Sequence, residues 1–321
     1  MPVSTRPVMA ENPYWRLLQT ARALPRLQVA VVHPVDVQCI RAAADAEAEG
    51  LIEPILIGPE GRIRAAIADY AALGATPRDW PIIATEHSHA AAETAVQMAA
   101  RGEVGALMKG SLHSEELLQP IVAPGSGLHT EYRISHAYML DVPSYPKPLI
   151  ITDAAINIAP GLAEKADICR NAIGLWVSLF GEARKPKVAV LAAVETVNPA
   201  MAATIDATAL CKMADRGQIS GALIDGPLAY DTIVSREAAR DKGIVSKVAG
   251  DADIVIVPNI ETGNALAKQL IYLSGARAAG IVLGARVPVI LTSRSDTVET
   301  RLLSCAVAMH LALARRMGKI K

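Results

Sequence analysis

Short aliphatic runs alternate with longer amphipathic stretches along most of the chain. Residues 27–32, 54–57, 82–85 and 104–108 read as strands. Residues 34–50, 88–100 and 114–122 read as helices between and after them. The middle differs. Residues 133–142 and 149–153 are two strand-like runs joined by the stiff Pro143-Ser144-Tyr145-Pro146-Lys147-Pro148. Alternation then resumes, with helices expected over 164–180, 201–216, 230–242 and 261–273, and strands over 187–193, 221–224, 254–257 and 280–283. A last apolar run, Val287-Pro288-Val289-Ile290-Leu291, ends in Thr292-Ser293-Arg294-Ser295-Asp296 and leads into a helix running from about 296 to about 315. Residues 5–15 read as a loose arm. Succession of this kind is the mark of an open, mostly parallel α/β sheet.

Composition sharpens that picture. Hydrophobic residues are 51% of the 321, aromatics only 3% with a single Phe, so the core must be Ala, Val, Ile and Leu. Buried parallel strands have that character. The length suggests about two domains. Lys plus Arg and Asp plus Glu are 32 each. Zero net charge argues against general attraction to nucleic acid or to an anionic membrane surface. The four cysteines form no C-x-x-C pair, which argues against a zinc site or a thioredoxin-like redox pair. Reduced cytosolic thiols are expected, and so is a cytoplasmic protein. Residues 1–14 carry no apolar h-region, which speaks against a secretory signal. The most apolar late stretch is interrupted by Arg277, Arg286 and Pro288, which speaks against a membrane span.

In open α/β sheets ligands sit beyond the carboxyl ends of strands. Five polar signals fall there: Lys109-Gly110-Ser111-Leu112-His113, Thr152-Asp153, Asp225-Gly226-Pro227, Pro258-Asn259 and Thr292-Ser293-Arg294. The last sets Ser293 and Arg294 before a helix N-terminus, where outward N–H groups and the helix dipole favour an anion. An arginine fork can grip two phosphate oxygens at once. Ser293 and Asp296 equally fit an S-x-x-D cap, which needs no ligand. Gly125-Ser126-Gly127 is followed by Thr at 130, so no G-x-G-x-x-G dinucleotide fingerprint is present. Asp251 and Asp253 precede a strand and carry little promise as a metal pair.

Several of these edges recur in one order. Asp153-Ala154-Ala155-Ile156-Asn157, Asp225-Gly226-Pro227-Leu228, Val248-Ala249-Gly250-Asp251-Ala252-Asp253, Val257-Pro258-Asn259, Gly263-Asn264 and Ser293-Arg294 together resemble the phosphate acetyltransferase / phosphate butyryltransferase family. The resemblance is strong from about 104 onward. The Lys-Gly-Ser-Leu-His turn and the run from Val142 to Pro148 look most like the phosphate-acyltransferase region of bifunctional enoyl-CoA hydratase/phosphate acetyltransferases. No hot-dog hydratase module is evident.

The resemblance implies two α/β domains with mostly parallel sheets and an interdomain cleft, of the isocitrate/isopropylmalate dehydrogenase type. Residues 1–144 and 294–321 would form the first and 145–293 the second. It implies acyl-CoA + phosphate ⇌ acyl phosphate + CoA, acetyl or butyryl being the expected acyl groups. CoA enters as a substrate, the reaction requires neither metal nor redox cofactor, and family members are commonly homodimers. Arg294 and Ser293 are the expected phosphate ligands. Phosphate acetyltransferases carry an acid further along the Ser-Arg motif, and by count that place is Thr300 here, so Asp296 is the expected base, with Glu299 nearby. Arg before Pro120 is usual in those enzymes, and this chain has Gln119; Lys109 or Arg133 would supply the charge. His113, Asp153, Asn157 and Asp225 are further substrate-site candidates, the alternative for each being a local capping or structural role. The scattered arginines 277, 286, 301, 315 and 316 are candidates for the CoA phosphates. Rival readings are a non-catalytic CoA- or phosphate-binding module and a decarboxylating dehydrogenase on the same fold.

Overall fold

The computed structural model describes residues 13–76, 78–292 and 296–320. In chain order the elements are α1 (Pro13–Arg22), β1 (Leu27–Val32), α2 (Val37–Ala48), β2 (Ile52–Gly58), α3 (Glu60–Ala72), β3 (Ile82–Ala84), α4 (Ser88–Ala100), β4 (Ala106–Lys109) and α5 (Ser114–Val122). There follow β5 (Ser135–Asp141), β6 (Leu149–Thr152), α6 (Leu162–Phe180), β7 (Lys187–Leu191), α7 (Ala202–Asp215), β8 (Leu223–Leu228), α8 (Tyr230–Val234), α9 (Arg236–Asp241), β9 (Ile254–Ile256) and α10 (Ile260–Tyr272). The chain closes with β10 (Arg277–Leu283), β11 (Val289–Ile290) and α11 (Val298–Arg316). Two compact units result. One is built from Tyr14–Glu131 and Ala279–Lys321, the other around Tyr132–Ala278.

In the first unit the strands run β3-β2-β1-β4-β11-β10. Pairs are parallel up to β11, while β10 and β11 are antiparallel. Register aligns Val32 with Ile57 on one side and with Lys109 on the other, so three strand ends finish at one level. Val29, Ala30, Val31 and Val32 are all fully buried. Helices cover both faces of such a sheet, which is why its central strand needs no polar face. Each fully buried Val, Leu or Ile contributes about 1.5–3 kcal/mol.

The second unit orders its strands β5-β6-β9-β7-β8. β5 and β6 form an antiparallel pair, and the rest are parallel. β9, Ile254–Ile256, is completely buried at its centre. The proline-rich run between β5 and β6 is pinned to the turn before β9. Tyr145 donates its hydroxyl to the Ala252 carbonyl at 2.7 Å, and Lys147 reaches Asp251 and Asp253 at 2.9 and 2.8 Å. Asp253 also takes a two-pronged grip from Arg184 at 2.7 and 2.8 Å. The family-like Val248–Asp253 motif is thus a charge-neutralised turn, and among the described residues no group of His, Cys, Asp and Glu is placed to hold a metal. Burial raises the Asp253 carboxyl, but hydrogen bonds from Arg184 and Lys147 more than offset that and hold it below its ordinary value.

Four expectations are corrected. The N-terminal arm was expected to reach Trp15, yet α1 already starts at Pro13. α3 lies where no element is legible, because only Ile63 and Ala66 of its thirteen residues are buried and the amphipathic signal is weak. The single helix expected over 230–242 is two. Ser235 adopts an extended conformation and its hydroxyl accepts from the Ala238 N–H at 3.2 Å, capping α9. Finally, α11, expected from about 296, starts at Val298 and is capped by Thr297, which accepts from the Thr300 N–H at 3.1 Å; Ser293 of the S-x-x-D pattern lies outside the described residues.

Among the described residues no helix is long and apolar enough to cross a membrane. The four cysteines are free, and burial pushes every one of their thiols up to about 12. Thiols in that state are poor nucleophiles.

Candidate active site

In the first unit, chemistry gathers where β1, β4 and β11 end. His33, the residue after β1, holds a left-handed backbone (φ 57°), an uncommon conformation for a non-glycine residue. Its side chain is buried, and its Nδ1 has no hydrogen-bond partner among the described residues. Gly110 follows β4 and lies against this bend; a Cβ there would stand 2.3 Å from the Val32 carbonyl oxygen. Only glycine allows that approach. The Gly110 and Ser111 N–H groups donate to the Val32 and His33 carbonyls, each at 2.9 Å.

Asp36 caps α2. The Cys39 N–H donates to its Oδ1 at 2.9 Å, and the Ser111 hydroxyl donates to Oδ2. Burial raises the Asp36 carboxyl, but these hydrogen bonds prevail and hold it below its ordinary value. Beside it opens a cavity of about 350 Å³, mouth included, whose walls include Asp36, Cys39, Lys109, Thr292 and Arg301. Arg301 is 7% exposed and donates from Nη1 to the Gln38 carbonyl at 3.3 Å. Two cations and a carboxylate whose oxygens both accept internal hydrogen bonds suit a small anion.

The second unit has its own strand-end centre. Asp153, directly after β6, is 1% exposed and accepts five hydrogen bonds. The N–H groups of His136, Ala155, Ile156 and Asn157 donate at 3.2, 2.9, 3.0 and 3.3 Å, and Asn157 Nδ2 donates at 2.6 Å. Asn157 Oδ1 in turn accepts from Arg133 Nε at 2.5 Å, and Arg133 Nη1 lies 2.9 Å from Glu164. Gly263 of α10 packs on this turn so closely that a Cβ would stand 2.3 Å from the Asp153 carbonyl oxygen. Asn264 Nδ2 donates to Ala154 O at 3.1 Å. The two motifs, Asp153–Asn157 and Gly263-Asn264, are therefore a single packed junction.

The sequence-derived candidates distribute as follows. Lys109 lines the cavity. Asp153, Asn157 and Arg133 form one network. His113 is exposed at the start of α5, its N–H donating to Glu116 at 2.6 Å. Asp225 was expected after a strand; it lies inside β8, paired with Ala189, because the strand continues through a bulge as far as Leu228. Its Oδ1 accepts from the Gly226 N–H at 2.9 Å. Asp296 is half-buried just before the Thr297 cap. Ser293 and Arg294 lie outside the described residues. Asp36 was missed by sequence reasoning, although an aspartate three positions ahead of Cys39 at the opening of an apolar-periodic run is a capping signal. Arg301 was one of five undifferentiated arginines, and only the fold singles it out.

A family model described as Phosphate acetyl/butaryl transferase matches residues 16–309. The chain belongs to this family. A phosphate acetyltransferase of Rhizobium meliloti is 51% identical over 308 residues, 96% of each protein. A phosphate butyryltransferase of Clostridium acetobutylicum is 38% identical, across 89% of this chain and 93% of its own length. Among solved structures, a branched-chain phosphotransacylase from Enterococcus faecalis V583 superposes with a TM-score of 0.76 at 29% identity, covering 89% of this chain and 99% of that one. Membership in the phosphate acetyl/butyryl transferase family gives the packed junction of Asp153 with Gly263 and the neutralised turn at Asp253 a common meaning. They are scaffold at the ends and starts of the strands of the second unit.

Proposed function

We propose that this protein transfers a short acyl group between CoA and inorganic phosphate, acyl-CoA + phosphate ⇌ acyl phosphate + CoA. The observation that carries the reading is family membership over nearly the full chain, including an acetyltransferase relative at 51% identity. Toward acyl phosphate, a phosphate oxygen attacks the thioester carbonyl, the C–S bond breaks, and the CoA sulfur leaves and takes up a proton. In reverse the thiol must first lose that proton. An ordinary thiol with a pKa of about 8.5 is only a few per cent ionised at neutral pH, so a positioned base helps.

In this reading Arg294 and Ser293 hold the phosphate, Lys109 adds positive charge, and Asp296 takes the thiol proton in place of the acid that Thr300 does not supply. Arg133, steadied by Asn157 and Asp153, and His113 are substrate-binding candidates; Asp225 shapes its strand edge. Both substrates bind together in a ternary complex, which turns a two-body encounter into an oriented one. Donors aimed at the carbonyl oxygen stabilise the charge that develops there. Acetyl and butyryl are the acyl groups we favour. The fold is read as two domains of the isocitrate/isopropylmalate dehydrogenase type, residues 1–144 with 294–321 and residues 145–293, in a cytoplasmic homodimer that uses no bound cofactor.

Thiol release from acetyl-, propionyl- and butyryl-CoA, with and without phosphate, tests the reading in wild type and Arg294→Ala. Phosphate-dependent release that drops at least about 100-fold in the variant is expected, the scale of a lost charged transition-state contact. Release with none of the three acyl-CoAs would sink it.

A further inference from the structure

Where β1, β2 and β3 end side by side, two buried polar atoms have no hydrogen-bond partner among the described residues. One is His33 Nδ1, on a side chain 5% exposed; the other is Thr85 Oγ1. Gly58 lies between them. The Thr85 N–H donates to its carbonyl at 3.0 Å, and His33 Nδ1 is 3.5 Å from where a Cβ on Gly58 would stand. Orphaned buried groups are few in folded proteins, and an ion or water from outside the chain is one ordinary reason for them.

α3 starts at this corner, directly after Gly58 and Pro59. Proline offers no side-chain cap, and the Gly61 N–H has no acceptor among the described residues. The space beside it is open, since nothing lies within 4 Å of a Cβ built on Gly61. Glu60, the acid of this first turn, is held by Arg64 at 2.7 Å. Arg62 is exposed, with no ion pair or hydrogen bond among the described residues. His87 adds a second imidazole. Its Nδ1 accepts from the Ala90 N–H at 3.1 Å as the cap of α4, so the neutral ring carries its proton on Nε2. Nδ1 of His33 is sealed against Gly58 with no acceptor, and an unpaired buried N–H is rarer than an unpaired acceptor. That ring too therefore carries its proton on Nε2. Burial and the charges of Arg62 and His87 lower the affinity of His33 for a proton, while Glu116 opposes them. Glu116 is itself engaged by the Ser88 hydroxyl and the His113 N–H, each at 2.6 Å, and lies 3.4 Å from His89. Among the described residues no group of His, Cys, Asp and Glu is placed to hold a metal. What gathers here is donors: a helix start, a guanidinium and two imidazole N–H groups, the set that suits an oxyanion.

We propose that this corner, formed by the α3 N-terminus, Arg62, His87 and His33, binds a phosphate group. The site goes beyond the acyl-transfer reading, which neither names these residues nor requires them. Two sources share the chemistry, a free phosphate and the 3′-phosphate of CoA, and only the second rests on that reading.

The test uses the full chain as wild type, Arg62→Gln, Gly61→Asp and His87→Asn, each checked for a thermal midpoint no lower than wild type. Asp at 61 enters open space, complements the helix dipole and sets a negative charge where the phosphate would lie. Asn at 87 keeps a good cap on α4 and removes the imidazole donor. Inorganic phosphate, CoA and 3′-dephospho-CoA are each titrated while the ring signal of His87, assigned by its loss in His87→Asn, is followed by NMR. The signal is expected to shift and saturate. Arg62→Gln and Gly61→Asp should each weaken that binding about 10-fold or more, as loss of a charged hydrogen bond does, and calorimetry should show a smaller loss in His87→Asn. A shift with CoA and none with 3′-dephospho-CoA assigns the site to the 3′-phosphate; a shift with inorganic phosphate alone assigns it to a free phosphate. Such binding by a chain that transfers no acyl group would keep the site and discard the acyl-transfer reading. A His87 signal unmoved by phosphate and by CoA, moved alike by CoA with and without its 3′-phosphate but not by inorganic phosphate, or indifferent to both Arg62→Gln and Gly61→Asp, would overturn the proposal.

Discussion

Two aspartates stand at strand ends, one in each unit, and they are used in opposite ways. Asp153 is enclosed: five donors converge on its carboxylate, and a helix packs on the turn through Gly263. Asp36 is held by one backbone N–H and one hydroxyl at the wall of a cavity that Lys109 and Arg301 also line. One carboxylate is consumed by the fold. The other anchors a corner of a cavity whose walls also include Lys109 and Arg301. Position beyond a strand is therefore not enough to tell the two corners apart; what differs is how many local donors close on the carboxylate and whether a cavity opens beside it.

The contrast can be broken by experiment. Asp153→Asn puts an amide N–H₂ against groups that already donate, so unfolding in urea should reveal a loss of about 3–5 kcal/mol, the cost of a broken buried charged network. Asp36→Asn keeps a good helix cap, and its cost should stay within about 1 kcal/mol. Equal losses at the two sites would erase the distinction. A finer comparison uses the two crowded glycines. Gly263→Ala and Gly110→Ala each place a methyl 2.3 Å from a backbone carbonyl oxygen, so each should cost about 1–3 kcal/mol. Gly110→Ala should reduce specific activity more than Gly263→Ala in an assay run well below both melting temperatures, because it displaces Lys109 directly, whereas Gly263→Ala reaches Arg133 only through Asp153 and Asn157.

The smallest effect is one of pH. Burial pushes His33 and His136 down from the ordinary imidazole value, with Asp153 partly opposing the shift at His136. Below about pH 6.5 the unfolded chain binds protons that these folded histidines refuse, so stability is full above that value and declines as pH falls beneath it. Urea midpoints at pH 7.5 and 5.5 should differ in that direction, and His136→Asn should narrow the gap. A midpoint higher at pH 5.5 would reverse the assignment.

The order of strands and helices was largely legible, and for a physical reason. β1, α4 and α5 match their expected limits because a strand aliphatic at every position but Gln28 and an alanine-rich helix leave little ambiguity. α3 escaped because a surface helix with two buried residues has almost no periodic signal. Ser235 escaped because a cap inside a continuous helical pattern costs only a few dihedral angles. Around the strand ends, motif order in sequence placed Lys109 and the Asp153 turn where the fold has them, since strand ends carry polar residues in a parallel sheet. It could not separate Arg301 from four other arginines. That distinction depends on α11 laying residue 301 beside the start of α2, a contact between segments 263 positions apart.

That separation has a consequence in time. On a ribosome adding about 5–20 residues per second, Gln38 emerges roughly 15–50 s before the arginine that will rest on its carbonyl. Until then β4 also lacks β11, its neighbour from the far end of the chain. The Asp153 junction needs Gly263, so it too can close only about 2–8 s before residue 301 emerges. The wall that Arg301 gives the cavity beside Asp36 is thus among the last parts of its unit to be made.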